Sequence, residues 1–325
     1  MLRRLRVYIL TPFLAVWALA AETADAPSAR VHALKVTILS TMLADGRTLG
    51  EWGFASLVEA DGHRILFDTG AHPDVVLKNA QTLRIDLSRV PDVVLSHSHS
   101  DHVGGLLTLR DSVTTNTAAA LARAHVAEGI FYPRSSTPSG TNENSMQLIR
   151  TQYERSGGKF VVYEHPKELF PGVWLTGPVP RKYPERNWSG STQITTPAGV
   201  AEDTLPEDMA LVCDTDAGLV VITGCGHAGV INILDYARSM VRPARVHALI
   251  GGIHLFAAKE ETLNWTAEKL REFGVENFLG AHCTGLETVY RFRRDLGLDR
   301  AHAVVGAVGA GFELGTGIDP GVIAK

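Results

Sequence analysis

The segment Leu95-Ser96-His97-Ser98-His99-Ser100-Asp101-His102-Val103-Gly104-Gly105 places three histidines and an aspartate within six residues. Imidazole and carboxylate are the usual ligands of a hydrolytic zinc site. Crowded together in a core, such groups would repel one another or lose their hydrogen-bond partners unless a cation held them. The apolar run Val93-Val94-Leu95 precedes the cluster and a Gly-Gly pair follows it, so the stretch reads as a buried strand opening into a ligand loop. His97 and His99 alternate along extended backbone and point the same way. Asp101 and His102 follow where the chain turns and face a neighbouring position. Gly104 and Gly105 are expected to let the backbone pass close to the bound ions.

Four more segments share this character. Asp68-Thr69-Gly70 closes an earlier strand, and Thr223-Gly224-Cys225-Gly226-His227-Ala228-Gly229, Gly251-Gly252-Ile253-His254-Leu255 and Ala281-His282-Cys283-Thr284-Gly285 follow in order. Together with the His loop, these motifs resemble those of the metallo-β-lactamase superfamily, and within it the dihydropteroate-synthase-like branch. The resemblance runs from about Val36 to Val305 and is more specific for fold than for substrate. It implies a four-layer αββα sandwich, with metals at the edge where loops of two sheets meet. Periodicity alone gives only an α/β fold.

A two-metal site takes about six protein ligands and a bridging water. By reach, His97 and His99 share one ion, and Asp101 and His102 share the other. His227, His254 and His282 each end an apolar strand beside glycine, where ligands converge. Members of the superfamily usually carry a separate His motif upstream of a strand ending in Gly-Asp, whose Asp bridges the metals. Here no His lies between His165 and His227, and the matching strand ends in Gly224-Cys225. His227 is therefore expected as the third ligand of the first metal, with the bridging carboxylate absent. His282 matches the superfamily's final His motif, which implies that it completes the second. Cys225 is either a thiolate ligand, as in some β-lactamases of the superfamily, or a small packing residue; packing is the expectation. His254 is either a ligand or a substrate-facing acid or hydrogen-bond donor. Asp68 is expected to hold loop histidines in the right tautomer and orientation. His32, His63, His72, His125, His165, His247 and His302 sit in ordinary helix, loop or strand contexts and are expected to be structural or exposed.

The function expected from this set is that of a dinuclear metal-dependent hydrolase. A metal-bridged hydroxide, oriented by Asp101, would attack the carbonyl carbon or phosphorus of an ester, phosphoester or related bond in a small molecule. Zinc suits the His-rich set, and iron or manganese fit as well. Three alternatives remain open. One is a transferase like the branch's pterin–aminobenzene ribosyl phosphate synthase. Another is a secreted β-lactamase or lactonase. The last is a metal-binding module without catalysis.

The rest of the chain bounds these readings. Arg3, Arg4 and Arg6 precede an apolar run of about 15 residues, Val7 to Ala21, and Ala18-Leu19-Ala20 offers a small-x-small cleavage site. Residues 1–20 are read as a signal peptide, with cleavage as late as 26, and the protein as exported (periplasmic or secreted). The run is short of the roughly 20 apolar residues of a membrane span, so no stable membrane insertion is expected after cleavage. Removing residues 1–20 takes three Arg and no acid, leaving 28 Lys and Arg against 35 Asp and Glu, a formal charge near −7. No basic stripe remains for a phosphate backbone, which argues against nucleic acid as a partner. Cys213, Cys225 and Cys283 are too few, and odd in number, for a disulfide framework. A Cys225–Cys283 disulfide is the one pairing considered, and Cys213 reads as a buried strand residue.

Residues 31–325 read as one domain. Strands are expected at Leu34 to Leu39, Phe54 to Val58, Arg64 to Phe67, Met209 to Asp214, Leu219 to Thr223, Val246 to Ile250 and Val275 to Leu279. Helices are expected at Pro73 to Leu83, Glu143 to Tyr153, Val230 to Met240, Glu260 to Phe273 and Leu286 to Asp295. Residues 177–205, rich in Pro, Ser and Thr with Tyr183, Arg186 and Trp188, lack both periodicities and read as an irregular insertion, either a loop that folds over a ligand or a mobile surface insertion.

Overall fold

The computed structural model describes residues 29–114, 117–136 and 142–324. The expected signal segment lies outside the described residues. Strand residues alternate between two apolar faces, and that alternation builds the layers. Eight strands form one sheet, in the spatial order Gly317–Asp319, Gly311–Glu313, Leu34–Ser40, Ala55–Ala60, His63–Phe67, Asp92–Val94, Arg123–Ala127 and Lys159–Tyr163. Seven form a second, in the order Ala303–Val305, Asn277–Gly280, Val246–Gly251, Gly218–Thr223, Leu211–Thr215, Val173–Leu175 and Lys167–Phe170.

Val36, Ile38, Ile65, Phe67 and Val94 of the first sheet pack against Leu211, Cys213, Val220, Ile222 and Ile250 of the second. The intervening residues face outward. Leu39, Leu57, Leu66 and Val93 meet helices Val75–Thr82, Leu106–Thr114 and Met146–Arg155. Val212, Val221 and Leu249 meet helices Val230–Met240, Glu260–Glu272 and Leu286–Asp295. The result is the αββα sandwich that the resemblance implied. Cys213 is fully buried in the middle layer, where desolvation pushes its thiol up to about 12. Among the described residues no helix is long and apolar enough to cross a membrane.

Strand direction positions the ligand motifs. His63–Phe67, Asp92–Val94, Arg123–Ala127 and Lys159–Tyr163 run parallel in the first sheet. Gly218–Thr223, Val246–Gly251, Asn277–Gly280 and Ala303–Val305 run parallel in the second. Asp68, His97, Cys225, His254 and His282 all lie just past the carboxyl ends of such strands, the edge at which open α/β sheets present their sites. The hairpin that delivers Asp68 turns through Asp61 and Gly62, with φ of 47° and 86°. Two successive residues at positive φ form the tight turn that matches strand twist.

The insertion departs from expectation. Residues 177–205 contain strands Gln193–Thr196 and Gly199–Glu202, which pair with each other and with Arg134–Ser135 as a separate three-stranded sheet. Of the insertion's two strands only Ile194 is buried, at 2% exposure, so no apolar alternation marked them. Strands Arg123–Ala127, Lys167–Phe170, Val173–Leu175, Gly311–Glu313 and Gly317–Asp319 were also not anticipated. Each has five residues or fewer.

Candidate metal centre

Asp68 is fully buried and sits at φ 57°, a left-handed conformation uncommon outside glycine. The Ser96 amide donates to its Oδ1 at 2.7 Å. The Ser96 hydroxyl and His102 Nδ1 both donate to its Oδ2, each at 2.7 Å. With its proton committed to Asp68, the Ser96 oxygen accepts from His97 Nδ1 at 2.9 Å. One carboxylate thus places Nδ1–H on both loop histidines and orients their Nε2 atoms as acceptors, the contact through which Asp68 was expected to set tautomer and orientation. Gly224 gives this network its room. A Cβ there would overlap Ser96 Oγ and lie 2.6 Å from Asp68 Oδ2. Gly224→Ala is expected to lower the thermal midpoint by several degrees and to weaken metal affinity together. Unchanged melting and metal titration curves would show that the network tolerates the methyl group.

Gly104 and Gly105 do not approach the ligand cluster in the way expected. Their close contacts are the carbonyls of Ala71 and Thr69, so these glycines pack the His helix onto the segment after Asp68.

The ligand atoms of His97, His99 and His227 lie within 4.8 Å of one another, as do those of Asp101, His102 and His282. These are the two triads expected from the sequence. The rings of His97 and His102, 4.2 Å apart between centroids, join them. His97 Nε2, both ring nitrogens of His227 and Nδ1 of His282 are buried without a hydrogen-bond partner among the described residues. Buried polar atoms are nearly always paired, and lone pairs converging like this fit a cation. Burial first, then the neighbouring imidazoles, hold His97 and His227 well below the ordinary histidine range. Both are therefore neutral, as metal ligation requires. Burial works against protonating His282, but Cys283 and Asp101, whose Oδ2 is 3.3 Å from His282 Nε2, outweigh it and raise the ring to about 9. Burial likewise opposes ionisation of Asp101, yet His102 and His282 hold its carboxyl below the usual range.

The His227 loop is fastened from two sides. Asp208 Oδ2 accepts from the Ala228 amide at 2.7 Å, and Arg181 reaches the His227 carbonyl at 3.3 Å. The insertion then crosses the cluster as a strap. His99 Nε2 donates to the Ser189 carbonyl at 2.7 Å, and the Trp188 ring lies 5.5 Å from His99 and stacks over His254 at 6.4 Å.

Glu185 anchors the strap by accepting from the amides of Ile231 at 3.1 Å and Asn232 at 2.8 Å. These are orphan donors in the first turn of helix Val230–Met240, which has no side-chain cap at Gly229. Burial nevertheless pushes the Glu185 carboxyl from 4.5 up to about 7, against the pull of those amides and of Arg181. Because the folded value is the raised one, the stability it contributes is complete below about pH 4.5 and lost as pH rises through about 7. Glu185→Gln is expected to flatten that part of the fall in urea midpoint across the same window. A wild-type slope in the variant would contradict this.

His254 sits at φ 52° with its ring 4.7 Å from that of His227 and its Nδ1 buried without a partner. Cys225 does not occupy the hydrocarbon setting that the packing reading called for. Its sulfur lies 3.1 Å from His102 Nε2 and falls within a common 4.8 Å group with His97 and His102, one residue from each triad. It is unbonded to Cys283, 3.2 Å away. The other seven histidines lie outside these groups. His72, His125, His247 and His302 pair with Glu51, Asp92, Glu276 and Asp299; His63 stacks on Phe170.

A cavity of about 630 Å³ opens onto the cluster, lined among others by Trp52, Asp101, Trp188, Phe256 and Lys259. Trp52 contacts the rings of both Phe256 and His282, at 5.4 and 5.1 Å. Trp52, Phe256, Ser96 and Ser189 escaped sequence reading. The seryl residues act through one hydroxyl and one carbonyl, and the two aromatics belong to no spaced pattern.

A four-layer sandwich with this His-Asp edge resembles the metallo-β-lactamase superfamily. The family model for the metallo-beta-lactamase superfamily matches residues 53–179 of this chain. It is 26% identical over 261 residues, 77% of this chain and 87% of the relative, to 7,8-dihydropterin-6-methyl-4-(β-D-ribofuranosyl)-aminobenzene-5′-phosphate synthase of Methanocaldococcus jannaschii. Among solved structures it resembles Tm1679, described as a metal-dependent hydrolase of the β-lactamase superfamily. That match has a TM-score of 0.70 at 28% identity and covers 86% of this chain and 99% of that one. YhfI of Bacillus subtilis shares the fold at 12% identity, with a TM-score of 0.55 over 86% of this chain and 99% of its own.

Proposed function

We propose that this chain is a dinuclear metal-dependent hydrolase acting on an ester, phosphoester or related bond of a small molecule. The observation that carries the reading is the convergence of two triads, His97/His99/His227 and Asp101/His102/His282, at one cavity edge. Divalent ions, with zinc the best match to the donors, would supply Lewis-acid stabilisation of developing oxyanion charge and acidify water. The residues supply the rest. Asp101 is kept ionised by His102 and His282 and lines the cavity, so its carboxylate accepts a hydrogen bond there and orients the attacking group. His254 lines the same cavity and presents a ring that can donate a hydrogen bond to a leaving group. Trp52, Trp188 and Phe256 exclude water around them.

The name of the Methanocaldococcus relative favours a second reading, a synthase-like group transfer at the same centre. One experiment separates the two. The purified chain is loaded with metal and offered a panel of phosphodiester, phosphomonoester, lactone and β-lactam substrates. Pterin and aminobenzene ribosyl phosphate partners are offered in parallel. Turnover confined to the transfer assay would sink the hydrolase reading.

The strap is proposed to set substrate choice. Trp188 is 66% exposed, yet its ring stacks over the site, so it adds contact without holding the fold. Trp188→Ala is expected to raise KM roughly tenfold with kcat little changed, since contacts equal in ground and transition state act on KM. Unaltered KM on the best substrate would make the strap a passive cover.

A further inference from the structure

Three adjacent parallel strands, Gly218–Thr223, Val246–Gly251 and Asn277–Gly280, each deliver one donor that the hydrolytic reading leaves without an ion: Cys225, His254 and Cys283. Their ligand atoms all lie within 4.8 Å, with the two sulfurs 3.2 Å apart. Cys225 and Cys283 are 2% and 0% exposed, and His254 Nδ1 is buried without a partner. The backbone is shaped around the group. Gly252 has no Cβ; one there would overlap the Gly224 carbonyl and lie 2.9 Å from the Cys283 sulfur. His254 is held in the left-handed region at φ 52°, a conformation that persists only where surroundings enforce it. All three residues line the 630 Å³ cavity.

We propose that Cys225, Cys283 and His254 form a third metal position, a tripod of two thiolates and one imidazole for a soft or borderline ion such as Zn²⁺ or Cu⁺. Thiolate pairs select these ions over hard ones. Three protein donors with the fourth direction open to a cavity is the arrangement of an ion that takes an outside ligand, not of a closed structural site. Zinc–sulfur bonds of about 2.3 Å in a tetrahedron set two sulfurs roughly 3.7 Å apart, so the pair opens by roughly half an ångström on binding. Both thiols must lose their protons, so loading releases acid.

The inference rests on reading this region as a metal centre, not on the reaction. It is tested on the full chain, purified under reducing conditions and saturated with Zn²⁺, by X-ray absorption at the zinc edge and by metal analysis. The expected spectrum contains a sulfur shell near about 2.3 Å beside the nitrogen and oxygen shell. Cys283→Ser is expected to lose about one equivalent of zinc and much of the sulfur signal, and a sulfur-to-cobalt charge-transfer band should vanish when Co²⁺ replaces zinc. A saturated wild-type protein showing only nitrogen and oxygen neighbours would overturn the proposal, and that measurement does not depend on a variant folding. Undiminished zinc and sulfur signal in Cys283→Ser would do the same. A sulfur shell in a protein inert toward every substrate would remove the hydrolase reading and leave this one standing. Turnover with no sulfur shell would do the reverse, and a chain that binds no zinc would end both.

Discussion

His97→Ala and His282→Ala are each expected to abolish turnover and to drop the metal held by the two His-Asp triads from about two ions per chain to about one. The effects are large because each ring is one of only three donors in its triad. His97 Nε2 and His282 Nδ1 are buried and unpartnered, and each belongs to a different triad. Losing His282 also frees Asp101 from a neighbour 3.3 Å away that helps keep it ionised. Metal analysis beside steady-state kinetics decides the matter. Full turnover in either variant under metal-replete conditions would refute the two-ion centre, as would a wild-type protein that is active with one ion.

Asp68→Ala is expected to do nearly as much damage without touching any ligand atom. The substitution strands the Ser96 amide, the Ser96 hydroxyl and His102 Nδ1 in a buried setting, at about 1–3 kcal/mol for each unsatisfied group. It also frees the tautomers of His97 and His102, and loss of such a partner typically weakens metal affinity about 10–100-fold. Asp68→Asn separates the two effects. The amide fills the space but cannot accept from every donor, so stability should recover further than metal affinity. Equal recovery of both would mean that Asp68 matters only for packing.

Much of this site was legible because its ligands obey a local rule. Each motif follows an apolar strand, as in Val94-Leu95-Ser96-His97, and those of the distal half carry glycine, as in Thr223-Gly224-Cys225-Gly226-His227 and Leu279-Gly280-Ala281-His282. Parallel strands then bring those ends to one edge, where the loop residues paired by reach group with His227 and His282, which the resemblance supplied. What was not legible depends on contact between distant segments. Cys225 and Cys283 are 58 residues apart, and no local pattern shows that their sulfurs touch. Ser189 meets His99 through a carbonyl, an atom every residue carries. Trp52 and Phe256 come from separate loops to wall one cavity. The hairpin inside the strap was invisible for another reason. Its side chains are almost all exposed, so burial left no imprint on its residue choice.

Glu185 gives the strap an evolutionary constraint. A surface loop that only covers a site can be exchanged between relatives as a cassette. This one also supplies the cap of a core helix, through two amides of Val230–Met240. A donor loop without an acid at that place leaves the helix start bare, at about 0.5–2 kcal/mol for a lost cap. The same helix follows His227 directly, so a graft chosen for a new substrate would loosen the metal edge as it arrived. Exchanging the strap whole is therefore expected to cost more stability than point changes along it that leave Glu185 in place.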